Sequence, residues 1–297
     1  MFKEKTQPLL MILHVPTAER SLFEINENSD EINPCMDALK FSICHAAIVD
    51  TPLTERVNSG SRERQLYKYS CAIKRILEEP EVLASTDIVT LQALVIYLYH
   101  NRTDDEHTRY SLVGKALRMA QSLGIHRDGA ILQKTPFETE MQRRLWWNIH
   151  RLERRLAENY LEFPFSSEPQ FDTLLPTNVN DGDILPIDSE YQKPRVGRTE
   201  MSFCLVDFEI SSLTFKLLKQ RPSSGATLHE RKASMVRETL KKLTEEHLKF
   251  CDPANDFDLM IITFAKLCLV CYYPFLSLFS FLWINLGSRE TCIDTYI

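Results

Sequence analysis

Apolar residues recur at three- and four-residue spacing through most of this chain, and that period admits helices and little else. In TLQALVIYLYH, Leu91, Leu94, Val95 and Leu98 fall at i, i+3, i+4 and i+7, which places them on one stripe. The next segment repeats the pattern through Leu112, Val113, Ala116, Leu117, Ala120 and Leu123. Gly124 then stands where a helix needs a left-handed residue, with Ile125 able to fold back as in a Schellman cap. Only 8 of 297 residues are glycine, which fits a helical chain. No alternating apolar pattern of strand length and no internal repeat occurs, so the expected fold class is all-α.

A further helix is predicted to open at Thr135-Pro136-Phe137-Glu138. Threonine as N-cap, proline at the first helical position and glutamate at the third form a capping box. Phe137, Met141, Leu145, Trp146, Ile149, Leu152 and Leu156 share a broad apolar face, and Glu140, Arg143, Arg144, Arg151, Arg154 and Arg155 lie opposite. Near 163–200 periodicity gives way to a long irregular connection with prolines 164, 169, 176, 186 and 194 and Asp181-Gly182-Asp183; such connections serve a function or move. Helical spacing resumes at Phe203, Val206, Ile210, Leu213 and Leu217. That seam suits burial in the chain's own core; as a coiled-coil stub it is short. After a turn at Pro222 to Gly225, a helix is expected from Leu228 to Phe250 through Val236, Leu240, Leu243 and His247, stopped by Cys251-Asp252-Pro253.

Four chemical readings can be tested on spacing. His126-Arg127-Asp128 is the triplet of a kinase catalytic loop, but the metal-holding asparagine five residues on is replaced by Gln133, and no glycine-rich phosphate loop precedes it. The triplet reads instead as a polar link between two helices. Cys268 and Cys271 have C-x-x-C spacing, yet no second pair completes four ligands, and Cys44-His45 is isolated; buried thiols acting as small apolar residues are expected. No nucleophile, dinucleotide or zinc-protease motif appears, so no catalytic, cofactor-binding, metal or DNA-binding residue is assigned and no enzyme is expected. QRRLWWNIHRLERR combines arginines with tryptophans, as a nucleic-acid surface would. The net charge of −6 opposes this, and the arginines are expected to form a solvated face, with Glu140 pairing Arg144.

The fourth reading concerns residues 267–286, LCLVCYYPFLSLFSFLWINL, which carry no charge and approach the length of a membrane span. Pro274 interrupts the run, and Ser277, Ser280 and Asn285 dilute it. A membrane-associated helical protein anchored there is the alternative reading.

ALRMAQSLGIHRDG, PFETEMQRRLWWNIHRLERRLAE and FDTLLPTNVNDGDI, in that order, resemble the regulatory (middle homology, xylanolytic-type activator) domain of fungal binuclear zinc-cluster transcription factors. LLMILHVPT, NPCMDALKFSICHAA, LQALVIYLYH and CDPANDFDLMIITFAKLCLVCYYP extend the resemblance. It implies a regulatory domain over residues 1–274 and an atypical apolar tail over 275–297, which would arise from a retained intron or a misplaced exon boundary. It implies a transcription regulator acting on RNA polymerase II gene expression in the nucleus, although no basic import motif is evident and a cytoplasmic location is the alternative. Family members bind DNA through a separate N-terminal zinc cluster, and the eight cysteines here lack its spacing. DNA would therefore be reached only through an absent or partner zinc-cluster module. Other transcription regulators, a second copy of the chain and a small-molecule effector are the further partners implied.

Overall fold

The computed structural model describes residues 1–28, 33–51, 59–79, 82, 87–101, 104–160, 171–219 and 226–269. Among these every regular element is a helix and no strand occurs, as the spacing predicts. Two compact units arise, Met1–Phe208 and Glu209–Ile297.

In the first unit a π turn, Phe2–Thr6, runs into α1 (Gln7–Leu10), followed by α2 (Val15–Asn28), α3 (Pro34–Asp50), α4 (Ser59–Glu78), α5 (Ile88–His100), α6 (Glu106–Ser122) and α7 (Pro136–Tyr160). Side-chain caps set several starts. Asn33 accepts from the amides of Cys35 and Met36 ahead of α3, Asp87 from Val89, and Asp105 from Thr108, each satisfying an orphan amide. At α7 the capping box forms as read: Thr135 Oγ1 accepts from the Glu138 amide at 3.2 Å and Glu138 Oε2 from the Thr135 amide at 3.1 Å. At the end of α6, Gly124 adopts φ 74° and the Ile125 amide reaches the Ala120 carbonyl at 3.1 Å. That closes a Schellman motif and leaves Ile125 1% exposed.

Helix α5 is the hub, packed against α3, α4, α6 and α7. The sequence suggests a single stripe, but Thr90 to Leu98 are all buried. The reason is composition: the helix carries no charged residue, so every face can be covered at little desolvation cost.

In the chain from 161 to 201 only part is described, and residues 171–201 contain just one 3-10 turn, Asp181–Asp183. This strap is followed by α8 (Ser202–Lys219), whose seam residues Phe203, Val206, Ile210, Leu213 and Leu217 are all buried. The second unit takes up α9 (Ala226–Glu246), a 3-10 turn at Leu248–Phe250 and α10 (residues 256–269). The expected single helix to Phe250 thus ends at Glu246 and tightens. Leu240, assigned to its buried face, is 39% exposed while Val236 and Leu243 are buried. The turn at 222–225, Cys271 and the tail 275–297 lie outside the described residues, as does most of the candidate span 267–286. No described helix is long and apolar enough to cross a membrane. Cys44 is exposed and Cys268 partly so, against the expectation of buried thiols: Cys44 lies on the outer side of α3 while its neighbour His45 turns inward.

Candidate functional site: a buried arginine ladder on α7

Every residue of α7 from Thr139 to Arg154 is buried. The apolar face is where the sequence puts it, with Leu145, Trp146 and Ile149 at 0%, 1% and 0% exposure. The opposite face does not meet water either. Arg143, Arg144, Arg151 and Arg154 are 8%, 0%, 0% and 4% exposed, which overturns the solvated face. Each guanidinium meets a carboxylate, and three of the four carboxylates come from other segments.

At the first level Asp128 accepts Nε and Nη2 of Arg143, both at 2.8 Å. This two-point fork suits the planar guanidinium and no lysine could reproduce it. The same carboxylate accepts the amides of Leu174 at 2.9 Å and Ala130 at 3.1 Å. Burial alone would raise the Asp128 carboxyl, but Arg143 and these amides hold it below the usual carboxylate range. The strap is laced to the same loop. Asp172 accepts from Arg127 Nε at 2.6 Å and from the Asp128 amide at 2.7 Å, Thr173 donates to the Ile125 carbonyl, and Trp147 donates to the Leu174 carbonyl. The His126-Arg127-Asp128 triplet is therefore a structural clasp. Its aspartate is occupied by an arginine rather than presented to a substrate.

At the second level Arg144 lies between Glu140 Oε1 at 3.1 Å and Asp181 Oδ1 at 2.6 Å, and Glu140 Oε2 accepts the Thr177 amide at 3.0 Å. The i, i+4 pair foreseen in the sequence exists, but inside the protein. At the third level one carboxylate serves two arginines: Asp207 on α8 accepts from Arg151 Nη1 at 3.1 Å and from Arg154 Nη2 at 2.8 Å. Arg151 also donates to the Leu9 carbonyl at 2.8 Å and to Asn148 Oδ1 at 2.6 Å, and its guanidinium lies 4.8 Å from the Tyr99 ring. Arg155, the one arginine of the set that is partly exposed, lies 4.7 Å from the same ring. Burial disfavours the charges on Arg143, Arg144 and Arg151, yet the facing carboxylates raise all three above the ordinary arginine value.

Four buried cations thus face Asp128, Glu140, Asp181 and Asp207, and none of these four guanidiniums is presented at the surface. Of the arginines in QRRLWWNIHRLERR, four are buried against carboxylates and Arg155 is partly exposed. Asp128, Asp181 and Asp207 are the residues that reading the sequence missed. The available signal was weak: the five arginines between Arg143 and Arg155 share their helix with Glu138, Glu140, Glu153 and Glu158, and the following connection is rich in aspartate.

Among the described residues no group of three or more His, Cys, Asp or Glu is gathered to hold a metal. Cys204 is buried beside the third level, where burial pushes its thiol up to about 12, so it stays protonated and unreactive.

Comparison with known proteins gives one consistent answer. Residues 1–280 match the fungal specific transcription factor domain. The chain is 29% identical over 273 residues to the transcriptional regulator AacuB of Aspergillus aculeatus, covering 88% of this chain and 37% of the relative. It is 33% identical over 277 residues to the pyriculol/pyriculariol biosynthesis cluster transcription factor 1 of Pyricularia oryzae, covering 86% and 36%. It is 30% identical over 274 residues to the aurofusarin cluster transcription factor of Gibberella zeae, covering 90% and 41%. The chain therefore spans well under half the length of these curated relatives, and no solved structure matches it. The helical fold of the described residues, with the loop, cap and arginine helix above, agrees with that assignment: the chain belongs to the fungal specific transcription factor domain family.

Proposed function

We propose that this chain is the regulatory, non-catalytic domain of a fungal transcription regulator, organised as a domain over residues 1–274 with a distinct tail over 275–297. It acts in the nucleus on RNA polymerase II genes and reaches DNA only through a zinc-cluster module, linked or supplied by a partner regulator or a second copy. A small-molecule effector would act by preferring one packing of the helices over another. The observation that carries the reading is the ladder. All four buried arginines of α7 are paired internally, so the most basic stretch of the chain holds helices together instead of binding phosphate. Buried ion pairs of this kind add little net stability but penalise every arrangement that separates them, which suits a domain with discrete packings.

The test uses the chain alone and the chain in a reporter. Purified protein is expected to show no salt-dependent binding to duplex DNA. Inserted between a heterologous DNA-binding module and an activation region, it is expected to change reporter output at equal protein abundance. Duplex binding whose affinity falls steeply with salt, or a reporter indifferent to the insertion, would overturn the reading.

A further inference from the structure

Two segments without long helices of their own meet at one side chain. Asp181 of the strap is 5% exposed and its polar atoms reach three different elements. Its carboxylate accepts Arg144 at 2.6 Å and the Val15 amide at 2.9 Å, its carbonyl accepts His14 Nε2 at 3.0 Å, and its amide donates to Glu200 at 2.7 Å. With Nε2 of His14 donating, Nδ1 accepts the Thr17 hydroxyl at 2.7 Å, so the neutral ring satisfies both contacts.

The N-terminal stretch 7–15 is shaped by side chains from elsewhere more than by its own backbone. Asn148 holds the Leu10 carbonyl at 2.7 Å, Arg151 the Leu9 carbonyl at 2.8 Å, and Gln92 the Ile12 carbonyl at 2.9 Å. Met11 between them adopts φ 44° at 2% exposure. A buried non-glycine residue stays in that region only when its surroundings impose it. The strap is likewise drawn together in part by one side-chain amide: Asn178 Nδ2 reaches the Arg195 carbonyl at 2.8 Å and the Gly197 carbonyl at 3.0 Å, and its Oδ1 accepts the Thr199 hydroxyl at 2.6 Å, beside the backbone bond from the Arg195 amide to the Asn178 carbonyl.

We propose that Asp181 is a relay joint: the N-terminal stretch 7–15 and the strap 171–200 are coupled through it, so that loosening either one loosens the other. Arg144 anchors the joint to α7, so both segments sense the seat of the same buried guanidinium. Coupling of this kind is reciprocal by thermodynamic necessity. The relay goes beyond the regulatory reading and needs no transcriptional readout, so either can fail without the other.

Amide hydrogen exchange on the full chain tests it. Asn178→Ala cuts the strap's own closure without touching the N-terminal stretch, and is expected to raise exchange at the Met11 and Ala18 amides about tenfold. Asn148→Ala releases Leu10 without touching the strap, and is expected to raise exchange at the Asp183 and Arg195 amides by a similar factor. In an Asp181→Asn background both remote responses are expected to vanish while the local ones persist. Ile73→Ala, in the core of α4, supplies the profile of global destabilisation. Responses confined to the mutated segment, or a profile matching that of Ile73→Ala across α3 to α6, would overturn the relay.

Discussion

Trp146 shows how much one side chain of α7 settles. It is 1% exposed, with Phe171 of the strap 5.2 Å away and the His126 ring 6.4 Å away, so truncation leaves a cavity lined by three segments. Trp146→Ala is expected to cost about 3–5 kcal/mol, measured as a shift of the denaturant midpoint at constant slope. At this scale the sequence was a good guide where apolar spacing decides. Leu145, Trp146, Ile149, Val236 and Leu243 are buried as the periodicity predicts, and Gly124 turns left-handed as its position after Leu123 requires. It failed for charge. Periodicity assigns an arginine to water by default, and nothing local to Arg151 announces that Asp207, 56 residues away, will meet it.

Among elements, α7 meets α8 through one carboxylate shared by two arginines and through Phe208, whose ring lies 6.0 Å from that of Trp147. Asp207 is fully buried, and neutralising it would remove the carboxylate that both Arg151 and Arg154 donate to. Asp207→Asn is therefore expected to destabilise by about 3–5 kcal/mol. Lys242→Ala, at a partly exposed pair with Glu209, is expected to cost less than about 1 kcal/mol. Equilibrium unfolding of both variants checks the contrast. The sequence made α5, α6, α7 and α8 legible because each has its own apolar period and most have a cap. It left the strap as an unassigned irregular stretch, because backbone held by Asp172, Asn178 and Asp181 rather than by a repeating ladder of its own has no period to read.

For the whole molecule, His45 and Asp128 are two of the groups through which stability depends on pH. Burial pushes His45 down to about 4, with His100 nearby opposing its charge further. A histidine depressed in the folded state binds fewer protons there than when unfolded, so its contribution is complete above its unfolded value of 6.5 and declines as pH falls from there to about 4. Asp128 is depressed by Arg143 and the Leu174 and Ala130 amides against the opposing effect of burial. Its contribution is present above its unfolded value of 3.8 and is lost as pH drops through the folded value below it. Stability is thus expected to fall in two stages on acidification. His45→Phe should shrink the upper stage, to which the burial-depressed His247 also contributes, and Asp128→Asn the lower, shared with Asp172 and Asp183, as read from unfolding free energies between about pH 7 and pH 3.

The inward arginines also bear on how a genetic screen of this domain reads. Alanine alleles at Arg143, Arg144, Arg151 or Arg154 would read much as lost DNA contacts do, yet the cause would be a depleted pool of folded protein, because each breaks a buried ion pair. Immunoblots alongside expression measurements separate the two, and without them the most basic stretch of the chain would be mapped as a DNA-reading helix although four of its arginines are turned to carboxylates inside the protein.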